Sequence, residues 1–214
     1  MNLSLTQRLL EVAAVGGEWV LWGLLLLSVI SLGIMLDRFW WFSRHRCNVD
    51  VLVAQLLDKA DKGEVEAALK ILRDHPSQET QMAAKCLDWQ DSGTDAMANM
   101  LEVVIRERRP VLERGLLFLG TLGNNAPFIG LFGTVLGVVQ AFVELGKHAG
   151  GGMDKVMGSI GEALIATAVG ILVAIPAVVA FNLLSRKVAQ VEDNVQVFVN
   201  LFAAVRSRQE KRKS

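Results

Sequence analysis

The sequence predicts an all-α membrane protein, with three transmembrane helices and long helices extending into a helical cytoplasmic region. Three observations carry that expectation. First, 52% of the 214 residues are hydrophobic and mean hydropathy is +0.37, too apolar for an ordinary soluble domain. Second, three stretches near residues 19–36, 126–146 and 160–184 approach or reach the ~20 apolar residues that a spanning helix needs. Third, no β-type alternation of useful length appears, whereas small residues recur at helical spacing in the last two stretches.

Residues 1–18 hold the segment before the first span. Leu5, Leu9, Val12 and Ala13 give residues 2–15 the face of a short amphipathic helix, with Ser4 and Gln7 at capping-box spacing; a frayed terminus is the alternative. Residues 19–36 run without a charge to Asp37, Arg38 and the rings Phe39, Trp40, Trp41 and Phe42, which suit a membrane–water interface. A cleaved signal peptide fits poorly. Glu11 and Glu18 stand where a basic patch belongs, and no small-x-small cleavage pattern follows.

Residues 37–115 are helical by period. Val51, Leu52, Leu56 and Leu57 form one stripe and Val65, Ala68, Leu69 and Leu72 another. Asp61 and Ser77 occupy N-cap positions, Gly63 breaks the chain, and Pro76 ends the second helix. From Thr94 a longer pattern through Met97, Leu101, Val104, Ile105, Leu112 and Leu116 is expected to run unbroken into the second span, with Pro110 as a kink. Residues 116–146 hold that helix and the span, 147–159 a Gly-rich outer loop, 160–184 the third span and 185–214 a basic tail.

In the second span Gly130, Thr134, Gly137 and Ala141 fall on one stripe; in the third, Ala163, Thr167, Gly170, Ala174 and Ala177 repeat it. Small residues let membrane helices approach closely, and Gly133 and Gly137 add a Gly-x-x-x-Gly pair able to pack within or between subunits. Pro127 and Pro176 are candidate kinks. Each stripe holds one threonine. Thr134 and Thr167 either bond back to a carbonyl of their own helix or face a shared polar lumen. Glu162, just inside the third span, is either an interfacial cap favoured by the helix dipole or a pathway residue, since ionisable groups at membrane depth usually face a bundle interior.

Nothing here resembles an enzyme site. Gly146–Lys147 fails as a phosphate loop because His148 follows the lysine and Ala141 replaces the leading glycine. No His/Cys/Asp/Glu set has metal-ligand spacing, no cofactor is implied, and Lys+Arg and Asp+Glu balance at 22 each, giving no basic signature of a nucleic-acid partner.

Residues 126–142 (APFIGLFGTVLGVVQAF) closely resemble the second membrane helix of the MotA/TolQ/ExbB proton-channel family, and residues 161–182 (GEALIATAVGILVAIPAVVAFN) resemble the third. The three-span layout is similar to the TolQ/ExbB branch rather than to four-span flagellar stators. The resemblance implies a bacterial inner-membrane motor subunit without catalytic activity of its own. It implies a homopentamer around a dimer of a single-span TolR/ExbD-like protein that carries the protonatable aspartate. That partner would act on a periplasmic or outer-membrane load. Thr134, Thr167 and Glu162 match the family's pathway positions. A non-conducting scaffold that anchors envelope proteins is the alternative reading.

Orientation follows from Lys and Arg. The region 1–18 holds one, 37–115 twelve, 146–159 two and 185–214 seven, so the N-terminus and Gly-rich loop are expected outside and the middle region and tail inside. Cys47 and Cys86 then face a reducing compartment. Single-cysteine probes in a cysteine-free background check this: a membrane-impermeant reagent added outside should label positions 4 and 151 and miss 77 and 207. Labelling of position 77 from outside would overturn the topology.

Overall fold

The computed structural model describes residues 17–62, 64–89, 92–147 and 153–213; the expected N-terminal amphipathic helix, Gly63 and the core of the Gly-rich loop lie outside the described residues. Seven α-helices and no strand occur among them: α1 Glu18–Arg44, α2 Val49–Asp61, α3 Val65–Asp74, α4 Gln78–Leu87, α5 Thr94–Leu112, α6 Leu116–Lys147 and α7 Met153–Lys213. Helices α1, α6 and α7 are long and apolar enough to cross a membrane. Of the described residues, 17–37 and 115–182 form one compact unit, and 38–114 with 183–213 form another.

The first unit is the apolar one. Its interior holds Val20, Leu24, Leu119, Leu122, Ala126, Ala166, Val173 and Ala177, all nearly inaccessible. Its outside is just as apolar. Trp22, Leu36, Leu117, Phe128, Phe142, Leu164 and Leu172 are well exposed, a distribution that water would penalise and that lipid or neighbouring helices satisfy. Trp19 meets Phe132 edge to face at 6.2 Å, a favoured aromatic geometry.

The second unit is a set of short amphipathic helices with the continuation of α7. Helices α2 and α3, α3 and α4, and α4 and α5 pack in succession around Leu56, Leu69, Leu72, Met82, Leu87, Met97 and Val104, while the α7 segment buries Leu184, Val188, Val191, Val195, Phe198, Val199 and Phe202. Ser77 caps α4, its hydroxyl accepting from the Thr80 backbone N–H. Helix α3 ends at Asp74, one residue before His75 and two before Pro76, as a proline's bias against helix in the residue before it requires. Arg38 is buried, its guanidinium donating to the Val111 carbonyl at 3.4 Å and lying over the Trp41 ring. Both cysteines are free. Burial raises the Cys86 thiol to about 11 and also raises that of Cys47.

Three expectations need correction. Asp61 is the last residue of α2 and not an N-cap; Glu64 stands at the start of α3 without a side-chain cap. The helix from Thr94 does not run on into the second span. It stops at Leu112, and Gly115 adopts φ +80° before α6 begins. A left-handed residue cannot continue a right-handed helix, and only glycine adopts it without a Cβ penalty. Pro110 is accommodated inside α5, so the break belongs to Gly115. Finally, α7 begins seven residues before the expected third span and runs for 61 residues through the basic tail.

Gly115→Ala is doubly unfavourable, because its Cβ would also lie 2.6 Å from Ile34 Cγ2. A loss of about 1–2 kcal/mol is expected from the backbone alone, read as a fall of several degrees in the thermal midpoint of the detergent-solubilised chain.

Candidate functional site

Helices α6 and α7 run antiparallel, and their small residues meet in order along the crossing. A Cβ on Gly120 would touch Phe181, one on Gly123 would touch Val178, one on Gly133 would touch Ala166 and one on Gly137 would touch Ala163. The closest approach is backbone to backbone. A Cβ on Gly130 would lie 2.6 Å from the Ala166 carbonyl oxygen, 3.0 Å from Thr167 Cα and 3.2 Å from Gly170 Cα; one on Gly170 would lie 2.6 Å from the Ala126 carbonyl oxygen. The stripes of Gly130, Gly133, Gly137, Ala163 and Gly170 therefore meet inside one chain, and Ala141 and Ala174 are also buried.

That crossing positions the two threonines differently. Thr134 donates its hydroxyl to the Leu131 carbonyl at 2.6 Å, which commits its proton but leaves its lone pairs free to accept. Thr167 lies beside Gly130. Its hydroxyl oxygen is buried without a hydrogen-bond partner among the described residues, an arrangement that usually costs about 1–3 kcal/mol.

Glu162 has other company. Five residues from Thr167, it points about 140° away around α7. It lines a cavity of about 410 Å³ with Glu18, Trp22, Gly137, Gln140 and Ser159, and neither threonine contributes to that wall. Gln140 and Ser159 did not stand out in the sequence, and Glu18 did so only as an acidic residue ahead of the first span. Gln140 is the one amide in the second half of α6, and its spacing of three from Gly137 is the available signal. Pro127 and Pro176 both lie inside continuous helices; each lacks an N–H, which leaves the carbonyl four residues earlier without its helical donor. Among the described residues no group of three or more His, Cys, Asp or Glu could hold a metal ion.

A profile of the MotA/TolQ/ExbB proton channel family matches residues 64–197, well over half of the chain and inclusive of the whole α6–α7 crossing. The chain belongs to this family. Its relatives place it in the TolQ/ExbB branch. It is 41% identical over 95 residues to the biopolymer transport protein ExbB of Xanthomonas campestris pv. campestris, covering 44% of this chain and 38% of that protein. The ExbB of Neisseria meningitidis is 37% identical over 121 residues, 56% of this chain and 53% of the relative. The Tol-Pal system protein TolQ of Haemophilus influenzae is 43% identical over 98 residues, 46% and 43% of the two lengths. The matched stretches thus span about half or less of these curated relatives.

Gly130→Ala is expected to force α6 and α7 apart, since backbone atoms cannot step aside as a flexible side chain does. A cost of about 1–3 kcal/mol follows from overpacking. Gly161, with open space around its Cβ position, provides the control: Gly161→Ala should be neutral or slightly stabilising. Comparing thermal midpoints of the two solubilised variants checks the assignment, with equal midpoints counting against it.

Proposed function

We propose that this MotA/TolQ/ExbB family member is a subunit of an inner-membrane motor that converts proton-motive force into mechanical work through a single-span TolR/ExbD-like partner. The observation that carries the reading is the buried, unpartnered hydroxyl of Thr167 on an otherwise apolar small-residue face, one stripe across from Thr134. A chain that only needed tight packing would have little use for that hydroxyl.

The two threonines offer complementary chemistry. With its proton held by the Leu131 carbonyl, Thr134 is an acceptor, suited to a protonated carboxylic acid. Thr167 has a free proton to donate once χ1 rotation turns it from the crossing, which suits an ionised carboxylate or the water beside it. A partner aspartate moving past them meets a site for each of its protonation states, and each elementary charge crossing the field releases ~2.3 kcal/mol per 100 mV. The subunit supplies the wall and the partner supplies the titrating group. The family's five-fold arrangement around a partner dimer, an outside N-terminus and an inside C-terminus complete the reading; the names of the relatives point to biopolymer transport or Tol-Pal function as the work performed. Glu162, with Gln140 and Ser159, belongs to a polar entry on another face.

Thr134→Val and Thr167→Val preserve shape and remove the hydroxyl. Thr134→Val should change stability little, since intramembrane hydrogen bonds average only ~0.6 kcal/mol, and Thr167→Val should be neutral or stabilising because it removes an unsatisfied hydroxyl, while proton-driven activity of the complex with its partner should fall severalfold. Glu162→Gln should be milder than Glu162→Ala if hydrogen bonding outweighs charge. Proton flux in vesicles, with assembly checked by crosslinking, decides: assembled threonine variants with undiminished flux would favour the non-conducting scaffold, and flux that follows sodium would change the ion.

A further inference from the structure

The second unit holds a cavity of about 440 Å³ that the proposed motor does not use. One part of its wall is apolar and aromatic, with Phe39, Trp41 and Leu183; Phe39 and Trp41 follow the first apolar stretch and Leu183 is at the end of the third. Another part is cationic, with Arg46 and Lys187. Glu79 lines the same cavity; it is only 5% exposed, and its Oε2 has no hydrogen-bond partner among the described residues. A carboxylate oxygen held out of water without a donor is costly. Glu79 lies in the first turn of α4, where the helix dipole favours its charge, but the dipole supplies no donor to Oε2.

The chemistry of this wall suits an occupant that carries a hydrogen-bonding cation, an anion and an apolar body. We propose that the cavity binds the headgroup of a phosphoethanolamine phospholipid, its primary ammonium donating to Glu79 and its phosphate meeting Arg46 and Lys187. The aromatic wall takes the start of the acyl chains. A soluble zwitterion would gain nothing from Phe39, Trp41 and Leu183, whereas a lipid brings both parts together. The partners divide by charge: ammonium to carboxylate, and phosphate to guanidinium and lysine, both charge-assisted.

Cys47 lines the same cavity and reports on it. The chain has two cysteines. Cys86 is wholly inaccessible with its thiol pushed up to about 11, so a maleimide reads Cys47 first. The full chain is placed in vesicles of phosphatidylglycerol alone, with phosphatidylethanolamine, or with phosphatidylcholine, and N-ethylmaleimide addition at Cys47 is followed by intact mass. Phosphatidylethanolamine should slow labelling severalfold. Phosphatidylcholine should not, because a quaternary ammonium has no N–H to donate. Glu79→Gln should abolish most of that protection, because the amide still accepts a hydrogen bond but no longer offers the charge that strengthens one to an ammonium. Lys187→Gln, at an exposed position, should weaken it as well and serves if Glu79→Gln does not fold. Equal rates in the three lipids, or full protection retained in both variants, would overturn the proposal. So would protection in phosphatidylglycerol alone that grows with protein density, which would put a side chain of a second copy in the cavity.

Discussion

Backbone contact between α6 and α7 at Gly130 and Gly170 is the constraint on which the apolar unit depends. In a bilayer, lipid tails are as apolar as leucine, so helices gain nothing by hiding such side chains from lipid and associate through dispersion and close packing. Dispersion falls steeply with separation, and only a surface without Cβ atoms lets two helices come this near. Opposing Ala166 O, Thr167 Cα and Gly170 Cα to Gly130 leaves no space for one methyl group. That contact sets the register of the antiparallel pair from Gly120–Phe181 to Gly137–Ala163, and thereby the height and rotation of both threonines.

Spending the small residues inside the subunit has a consequence for its exterior. Much of what α6 and α7 leave outside is bulky: Phe128, Leu131, Phe142, Leu164, Leu172 and Ile175 are all exposed. At those positions a neighbour or lipid meets branched and aromatic side chains. The polar unit follows different physics. Its helices are amphipathic, its core is made by ordinary hydrophobic burial, and its surface ion pairs, such as Lys85 with Glu107 and Arg106 with Glu102, are exposed and worth little individually. Two buried charged side chains among its described residues, Arg38 and Glu79, behave differently. Arg38 finds the Val111 carbonyl and the Trp41 ring, whereas Glu79 leaves one oxygen unmatched.

The same residue type plays two parts at the crossing. Thr134 and Thr167 occupy equivalent places in their stripes, yet one hydroxyl is bonded to its own helix and the other is left without a partner. Back-bonding depends on the rotamer and on a carbonyl within reach. Polar groups in an apolar unit are read by their partners as much as by their presence.

By itself the sequence determined the helical class, the three apolar helices and the small-residue stripes, because a 3.6-residue period and bilayer length are local properties of a chain. It also determined the end of α3 before Pro76 and the cap at Ser77, since both act within a few residues. The break at Gly115 was local too, but its signal was a lone glycine inside a strong apolar period, and period alone does not register a left-handed φ. Only the tertiary structure decided that the two stripes face each other in one chain, that Glu162 shares its surroundings with Glu18, Gln140 and Ser159 rather than with the threonines, and that Glu79 is buried with an unmatched oxygen. Those facts depend on which helix lies opposite at a given height. Residues as far apart as Glu18 and Glu162, or Trp41 and Glu79, are brought to one cavity by packing, and no spacing along the chain encodes that.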